Sequence, residues 1–293
     1  MEKVSKKSIV LIVLLSIFVA FCSVGLYFLS FPKEEKQTIA VDGPTNSGNW
    51  TDSGNYATSY AGGTGTEDDP YLISTPEQFA YFAYRINSGS DIGRNFLVTT
   101  DLDMSAYYWT PIGTSSTDSF YGTFDGGGFE ISGIYVGTES SPVEYAGLFG
   151  REAEIASYST NRIIIKNIVL RDSVIFGQGV TGSIIAGGTL DVNDSGLDWS
   201  QVYMTISNCI SYAEIYAFGG SAGGIVGLGY ATVVENCVNN STITDMENKG
   251  SNFGGIIGRL YGGRVENSVN NSPLTPNCVG SPGGNIANGV GTG

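Results

Sequence analysis

Between residues 163 and 275 the chain alternates β-branched apolar residues with single polar ones, and glycine and asparagine interrupt the pattern at regular places. This alternation has the period of two expected of strands, not the 3.6 of a helix. It also recurs. Residues 223–244 read GGIVGLGYATVVENCVNNSTIT and residues 254–275 read GGIIGRLYGGRVENSVNNSPLT, an offset of 31 with 13 of 22 positions identical. A period of this length marks a stacked architecture, because one unit cannot bury its own apolar face and must pack on its neighbours.

Two weaker copies lie upstream, at residues 165–174 and 206–215. Aligned on asparagine, the copies give four columns: Ile165, Ile206, Val234, Val265; then Asn167, Asn208, Asn236, Asn267; then Val169, Ile210, Val238, Val269; then Val174, Ile215, Ile243, Leu274. The apolar columns are expected to fill an interior. The asparagines are expected at sharp bends, where a left-handed backbone and coil-to-coil side-chain bonds suit them. Residues 124–136 read as a degenerate first coil with Gly133 in the asparagine place. A parallel β-helix fits this pattern best, since a propeller blade would need about 40–45 residues.

Departures from the period are orderly. Relative to the two clean copies, the earlier ones carry extra residues at 151–162 and 187–204, both at the same point of the coil. Insertions on one sector mark a candidate binding surface on a rigid scaffold. Upstream, Ser74-Thr75-Pro76-Glu77-Gln78 is a helix start, and Phe79, Phe82, Ala83 and Ile86 form one apolar face. A helix over about 75–88 is expected to cover the open end of the solenoid. The sequence closes in GGNIANGVGTG without an amphipathic cap, which reads either as a glycine-blunted coil or as the end of a fragment.

Residues 9–31 are uncharged and mostly apolar, with Lys3, Lys6 and Lys7 before them. That run is long enough to span a bilayer, and it is read as an uncleaved signal anchor, with a cleaved secretion signal as the alternative. The expected organisation is therefore an anchor at 1–32, a polar tether at 33–49 and a solenoid domain at 50–293, its repeats at about 121–290. The domain should face outside the cytoplasm, at a membrane or after secretion.

Composition narrows the function. The chain has 28 acidic against 14 basic residues, a formal charge of −14, and shows no basic stripe of the kind a nucleic-acid binder needs. It has no histidine, which removes the Ser-His-Asp triad and most zinc chemistries. Cys209 and Cys237 are equivalent positions of adjacent coils, and read as buried core residues with a disulfide as the alternative.

The blocks GGTGTEDDPYLISTPEQFAYFAYRINSG (62–89), TTDLDMS (99–105), WTPIGT (109–114) and YGTFDGGGFEISGIYV (121–136), followed by AGLFG, GGIVG and GGIIG before VENC- or VENS-type strands, resemble bacterial GLUG-motif surface proteins. The resemblance covers Trp50 to the C-terminus. It implies an all-β, right-handed parallel β-helix with an N-terminal helical cap, displayed on or secreted from a bacterial surface. Such repeats occur in adhesin-like proteins and beside the catalytic domains of immunoglobulin-cleaving metallopeptidases. No catalytic residue carries over, and HExxH cannot exist without histidine.

Candidate chemistry is sparse. Asp101 and Asp103, two apart on a strand, share a face and are candidates for a structural calcium site, the only cofactor expected; turn and cap chemistry is the competing reading. Asp191, Asp194, Asp198, Trp199 and Tyr203, on or beside the longer insertion, are candidates for holding a glycan or protein ligand. Tyr107, Tyr108 and Trp109 read as core. Lys166, Ser207, Glu235 and Glu266 form an outward column more like a solvated face than a catalytic cleft, so the chain is read as a binding module, with a polysaccharide-degrading enzyme as the alternative.

Overall fold

The computed structural model describes residues 43–115, 119–151, 162–187, 201–247 and 252–272. The chain divides into two compact units, 1–40 and 41–293, and all the described residues belong to the second. Within it the chain winds repeatedly through three sheets whose strand ladders are all parallel, the arrangement of a β-helix-like solenoid. Parallel neighbours of this kind need a connection that leaves the sheet and returns, and each coil passes through the other two sheets to do so.

The first sheet stacks Tyr71–Ile73, Phe96–Val98, Gly122–Asp125, Ile163–Lys166, Met204–Ser207, Val226–Glu235 and Ile257–Glu266. In Ile163–Lys166, Ile163 and Ile165 point inward and are buried, while Ile164 and Lys166 point out. Ile165, Ile206, Val234 and Val265 lie in register, so the first predicted column is an interior column.

The asparagine column marks the bend. Asn167, Asn208, Asn236 and Asn267 have φ of 57°, 53°, 54° and 46°. Asparagine tolerates this region better than other side chains because its short amide bonds locally. The bend also resets the alternation: Ile168 and Leu170 point inward on the next short strand, Val169–Arg171, while Val169 points outward. The third predicted column is therefore not interior. Val169, Ile210 and Val238 are half-buried on the outer face, and Val269 is 46% exposed. β-branched residues suit a pleated strand on either face, so residue type alone did not fix the direction.

Two register expectations also change. Gly133 does not take the asparagine place, because Phe124 pairs with Ile165 and Asp125 with Lys166, which leaves the run beginning at Gly126 at that bend. Gly133 falls instead at the following bend, beside Asp172 (φ 44°). The fourth interior column runs through Ile175, Ile215 and Ile243, because Val174 pairs with Glu214.

The helix α1 spans Pro76–Asn87. Thr75 caps it by accepting from the Gln78 amide at 3.2 Å, and proline fills the first turn. Phe79, Phe82, Ala83 and Ile86 are fully buried, as their spacing predicts. Phe79 stacks on Trp109 at 4.8 Å, and Phe82 meets Phe124 at 5.4 Å. Phe124 belongs to the first full coil, so α1 plugs the interior at that end.

Candidate functional site

On three successive coils the described strands stop and resume at the same corner. The chain stays in register up to Arg151, which pairs with Gly187, and Gly187 pairs with Leu228. It rejoins at Ile163, which pairs with Met204, and Met204 pairs with Thr232. Both insertions therefore spring from the interval that the plain coil crosses between Leu228 and Thr232 within the continuous strand Val226–Glu235. An earlier segment between Gly113 and Gly122 opens at the same level, with Gly113 bonded to Arg151 and the Gly122 amide to the Arg162 carbonyl. The next coil repeats the plain path in Ile257–Glu266.

The plain path adds a second, smaller apolar cluster, in which Tyr203, Tyr230 and Ala231 pack with Leu228 and Tyr261. Tyr230 and Tyr261 stack at 5.0 Å. Arg162 lies over the Tyr203 ring at 5.2 Å and Arg259 over Tyr261 at 4.4 Å. Tyr203 is only 3% exposed, and its backbone bonds both Ile163 and Ala231. It is thus a buried part of the corner's foundation. Asp191, Asp194, Asp198 and Trp199 lie outside the described residues.

Asp101 and Asp103 both point outward, as their spacing predicts, but each is engaged by a backbone amide, Asp101 on the neighbouring coil and Asp103 in its own turn. Asp101 accepts from the Glu130 amide at 2.8 Å, and Asp103 from the Ser105 amide at 3.0 Å. Among the described residues no group of three or more acidic or cysteine side chains could hold a metal ion. Asp103 does line an open groove of about 280 Å³ with Pro44, Ser132, Tyr135 and Asp172. A second groove of about 230 Å³ lies on the first sheet, between Glu67, Asn95, Leu97, Asp125 and Lys166. Both are smaller than the roughly 300–1,000 Å³ of enclosed small-molecule sites. They suit contact with a larger surface better than enclosure of a substrate.

The column Lys166, Ser207, Glu235, Glu266 is in register as expected, although Ser207 within it is buried. Its first members are committed to structure, since Asp125 holds Lys166 at 3.3 Å and also accepts from Gly127 and Asn167. On the sheet that stacks Tyr135–Val136, Val174–Gly182 and Glu214–Ala217, the residues Tyr135, Phe176 and Tyr216 form an outer ladder, with Phe176 and Tyr216 stacked at 4.8 Å. Phe176 and Tyr216 cover one another's faces, while Tyr135 meets Phe176 at a tilt. Burial and then the Glu214 carboxylate, which accepts from the Tyr216 hydroxyl at 2.8 Å, push that phenol up to about 12.

Trp109 and Trp50 are core, with each indole N–H donating to a buried carbonyl, of Leu148 and Met104 respectively. Tyr107 packs edge-on against Trp50 at 5.1 Å. Cys209 and Cys237 are buried free thiols, and burial pushes the Cys209 thiol up.

Comparisons with known proteins agree with the fold. No family model matches the chain. A protein described as "Putative Gly-rich membrane protein" from Evansella cellulosilytica is 28% identical over 144 residues, covering 47% of this chain and 15% of that protein. The chain also resembles the crystal structure of a "putative immunoglobulin A1 protease" from Bacteroides ovatus, with a TM-score of 0.57 and 25% identity over 73% of this chain and 60% of that one. The chain spans less than two thirds of the length of either. Among its described residues no helix is long and apolar enough to cross a membrane, and the candidate anchor at 9–31 lies outside them.

Proposed function

We propose that the chain is an extracytoplasmic, membrane-anchored display module of the GLUG-repeat type, a right-handed β-helix that adheres to a glycan or protein surface through its insertion-bearing corner. The observation that carries this reading is the shared exit of two insertions, 152–162 and 188–203, from a scaffold whose later coils cross the same interval without leaving the sheet. A rigid coil fixes the base of each loop, and the tips are free to specialise. The "membrane protein" in the relative's description and the apolar run at 9–31 support anchoring. The solved neighbour's description as a protease concerns a longer chain, of which this one spans 60%.

The activity proposed is binding, not catalysis. Glu67 and Asp125 do share the groove on the first sheet, which is the feature a polysaccharide-degrading enzyme would use. Yet Asp125 already holds Lys166, Gly127 and Asn167, and such a carboxylate is poorly placed to serve as nucleophile or base. Probing a glycan and matrix-protein array with the full-length protein tests the reading. Retention by one ligand class supports it, and polysaccharide turnover without retention would replace it with the enzyme.

A further inference from the structure

Tyr56, Tyr60, Tyr71, Tyr81 and Tyr84 form one connected cluster on and beside α1. Within it Tyr56 and Tyr84 stack with ring centres 4.3 Å apart and planes 15° from parallel. The neighbouring Tyr84 hydroxyl pushes the Tyr56 phenol up, so the two oxygens sit side by side. With both hydroxyls on one side of the stack, the ortho carbons next to them also face each other. Tyr84 is 38% exposed and Tyr56 is half-buried, so the pair is open to solvent and free to turn.

The other close tyrosine pairs lack that freedom. Tyr60 and Tyr71 stack at 4.4 Å, but Tyr81 and Phe96 enclose Tyr60, and its hydroxyl donates to Asp91 at 3.1 Å. Tyr230, stacked on Tyr261, is only 5% exposed, and Arg259 lies over the Tyr261 ring. Tyr56 also has a telling position. It belongs to residues 43–60, which join the candidate anchor and tether to the solenoid and contain no regular strand or helix. Backbone bonds hold this stretch, among them Trp50 N–H to the Tyr108 carbonyl and Ala57 N–H to the Glu77 carbonyl. The described cysteines, Cys209 and Cys237, are buried free thiols, so neither ties it down.

We infer that Tyr56 and Tyr84 are an oxidative modification site, joined as dityrosine when the protein meets hydrogen peroxide and a haem peroxidase. Each phenol gives up one electron and its hydroxyl proton, leaving a phenoxyl radical whose unpaired spin is shared with the ortho carbons. The two radicals join through one carbon–carbon bond, and the two ortho hydrogens then move to the oxygens and restore the phenols. Two electrons and two protons leave in all, and they reduce one hydrogen peroxide to two waters. Holding the two rings together favours their coupling over coupling between molecules. The link closes a covalent loop from Tyr56 to Tyr84 and pins the entry segment to α1. Like a disulfide, it constrains the unfolded chain. The chemistry is independent of the proposed binding. Its use, securing the segment through which a membrane anchor would pull, rests on the anchored reading.

The test treats dilute full-length protein with hydrogen peroxide and a haem peroxidase. Dityrosine fluorescence, a denaturing gel and peptide mass mapping are then read. The expected product is a monomer lighter by two hydrogens, containing one linked peptide that joins residues 56 and 84, and melting at a higher temperature than untreated protein. Tyr56→Phe and Tyr84→Phe keep the ring stack but lack the phenol, so each should abolish that peptide. Tyr212→Phe removes another exposed tyrosine and should leave it unchanged. Dityrosine found only between molecules, or mapped to other tyrosines, would overturn the inference, and this outcome does not depend on whether the variants fold. A linked monomer that melts no higher than untreated protein would overturn the securing role. Loss of ligand retention on the array, with the link still formed, would count against the binding reading alone.

Discussion

The Asn167 side-chain amide donates to Asp125 Oδ1 at 2.8 Å, and its own oxygen accepts from Asn208 Nδ2 at 3.2 Å. Asp125 therefore begins a short coil-to-coil ladder that runs through Asn167 to Asn208. Asn208 has two tasks there, tolerating a positive φ and bonding its neighbour. Asn208→Ala loses both and should cost about 1–2 kcal/mol, whereas Asn208→Gly, which accepts φ of 53°, should cost less. Denaturant melts of the two variants check this; equal losses would show that the backbone conformation contributes little.

A second ladder is internal. Asn239 is fully buried and donates to Asn270 Oδ1 at 2.8 Å. It fits because Gly224 leaves room, for a Cβ there would sit 2.1 Å from Asn239 Nδ2. One coil earlier the equivalent positions are Ser183 and Ser211. Gly224→Ser should therefore destabilise by about 2–3 kcal/mol through overpacking, and adding Asn239→Ser should recover part of the loss. A double variant no more stable than the single one would refute the exchange of size between these positions.

These two ladders show what sequence pattern can and cannot disclose. The αL asparagines, the first interior column, the apolar face of α1 and the common exit of the insertions were all legible, because each follows from a strict local requirement. The outward direction of Val169, Ile210, Val238 and Val269 was not, since it depends on how many residues the bend consumes. The one-residue shift at Val174 was hidden for the same reason, and Asp172 at positive φ accounts for it.

Asp91 carries a pH prediction. Burial alone would raise its carboxyl, but Arg85 at 2.8 Å and 3.1 Å and the Tyr60 hydroxyl at 3.1 Å hold it below the ordinary carboxylate value. A carboxyl lowered in the folded state gives stability that is fully present above its unfolded pKa of about 3.9 and is lost as pH falls through the folded value. Asp91→Asn should cost about 1–2 kcal/mol at neutral pH, and the cost should shrink below about pH 4. Melting both proteins across that range tests it; a loss independent of pH would mean the pair acts through packing alone.

The thiols give a solvent-access prediction. In a Cys22→Ser/Cys278→Ser background, Cys209 and Cys237 should react with a thiol reagent only on unfolding, because both are buried. Rapid labelling of the native protein would show that the coils part locally at these positions.

The most direct test of the corner as the binding element converts a decorated coil into a plain one. Residues 188–202 are replaced by Gly-Tyr, copying Gly229-Tyr230 between the positions equivalent to Gly187 and Tyr203. The altered protein is then compared with wild type on the same ligand array and by thermal melting. We predict that cooperative melting is retained and array binding is lost. Full binding by a folded protein without this insertion would contradict the account.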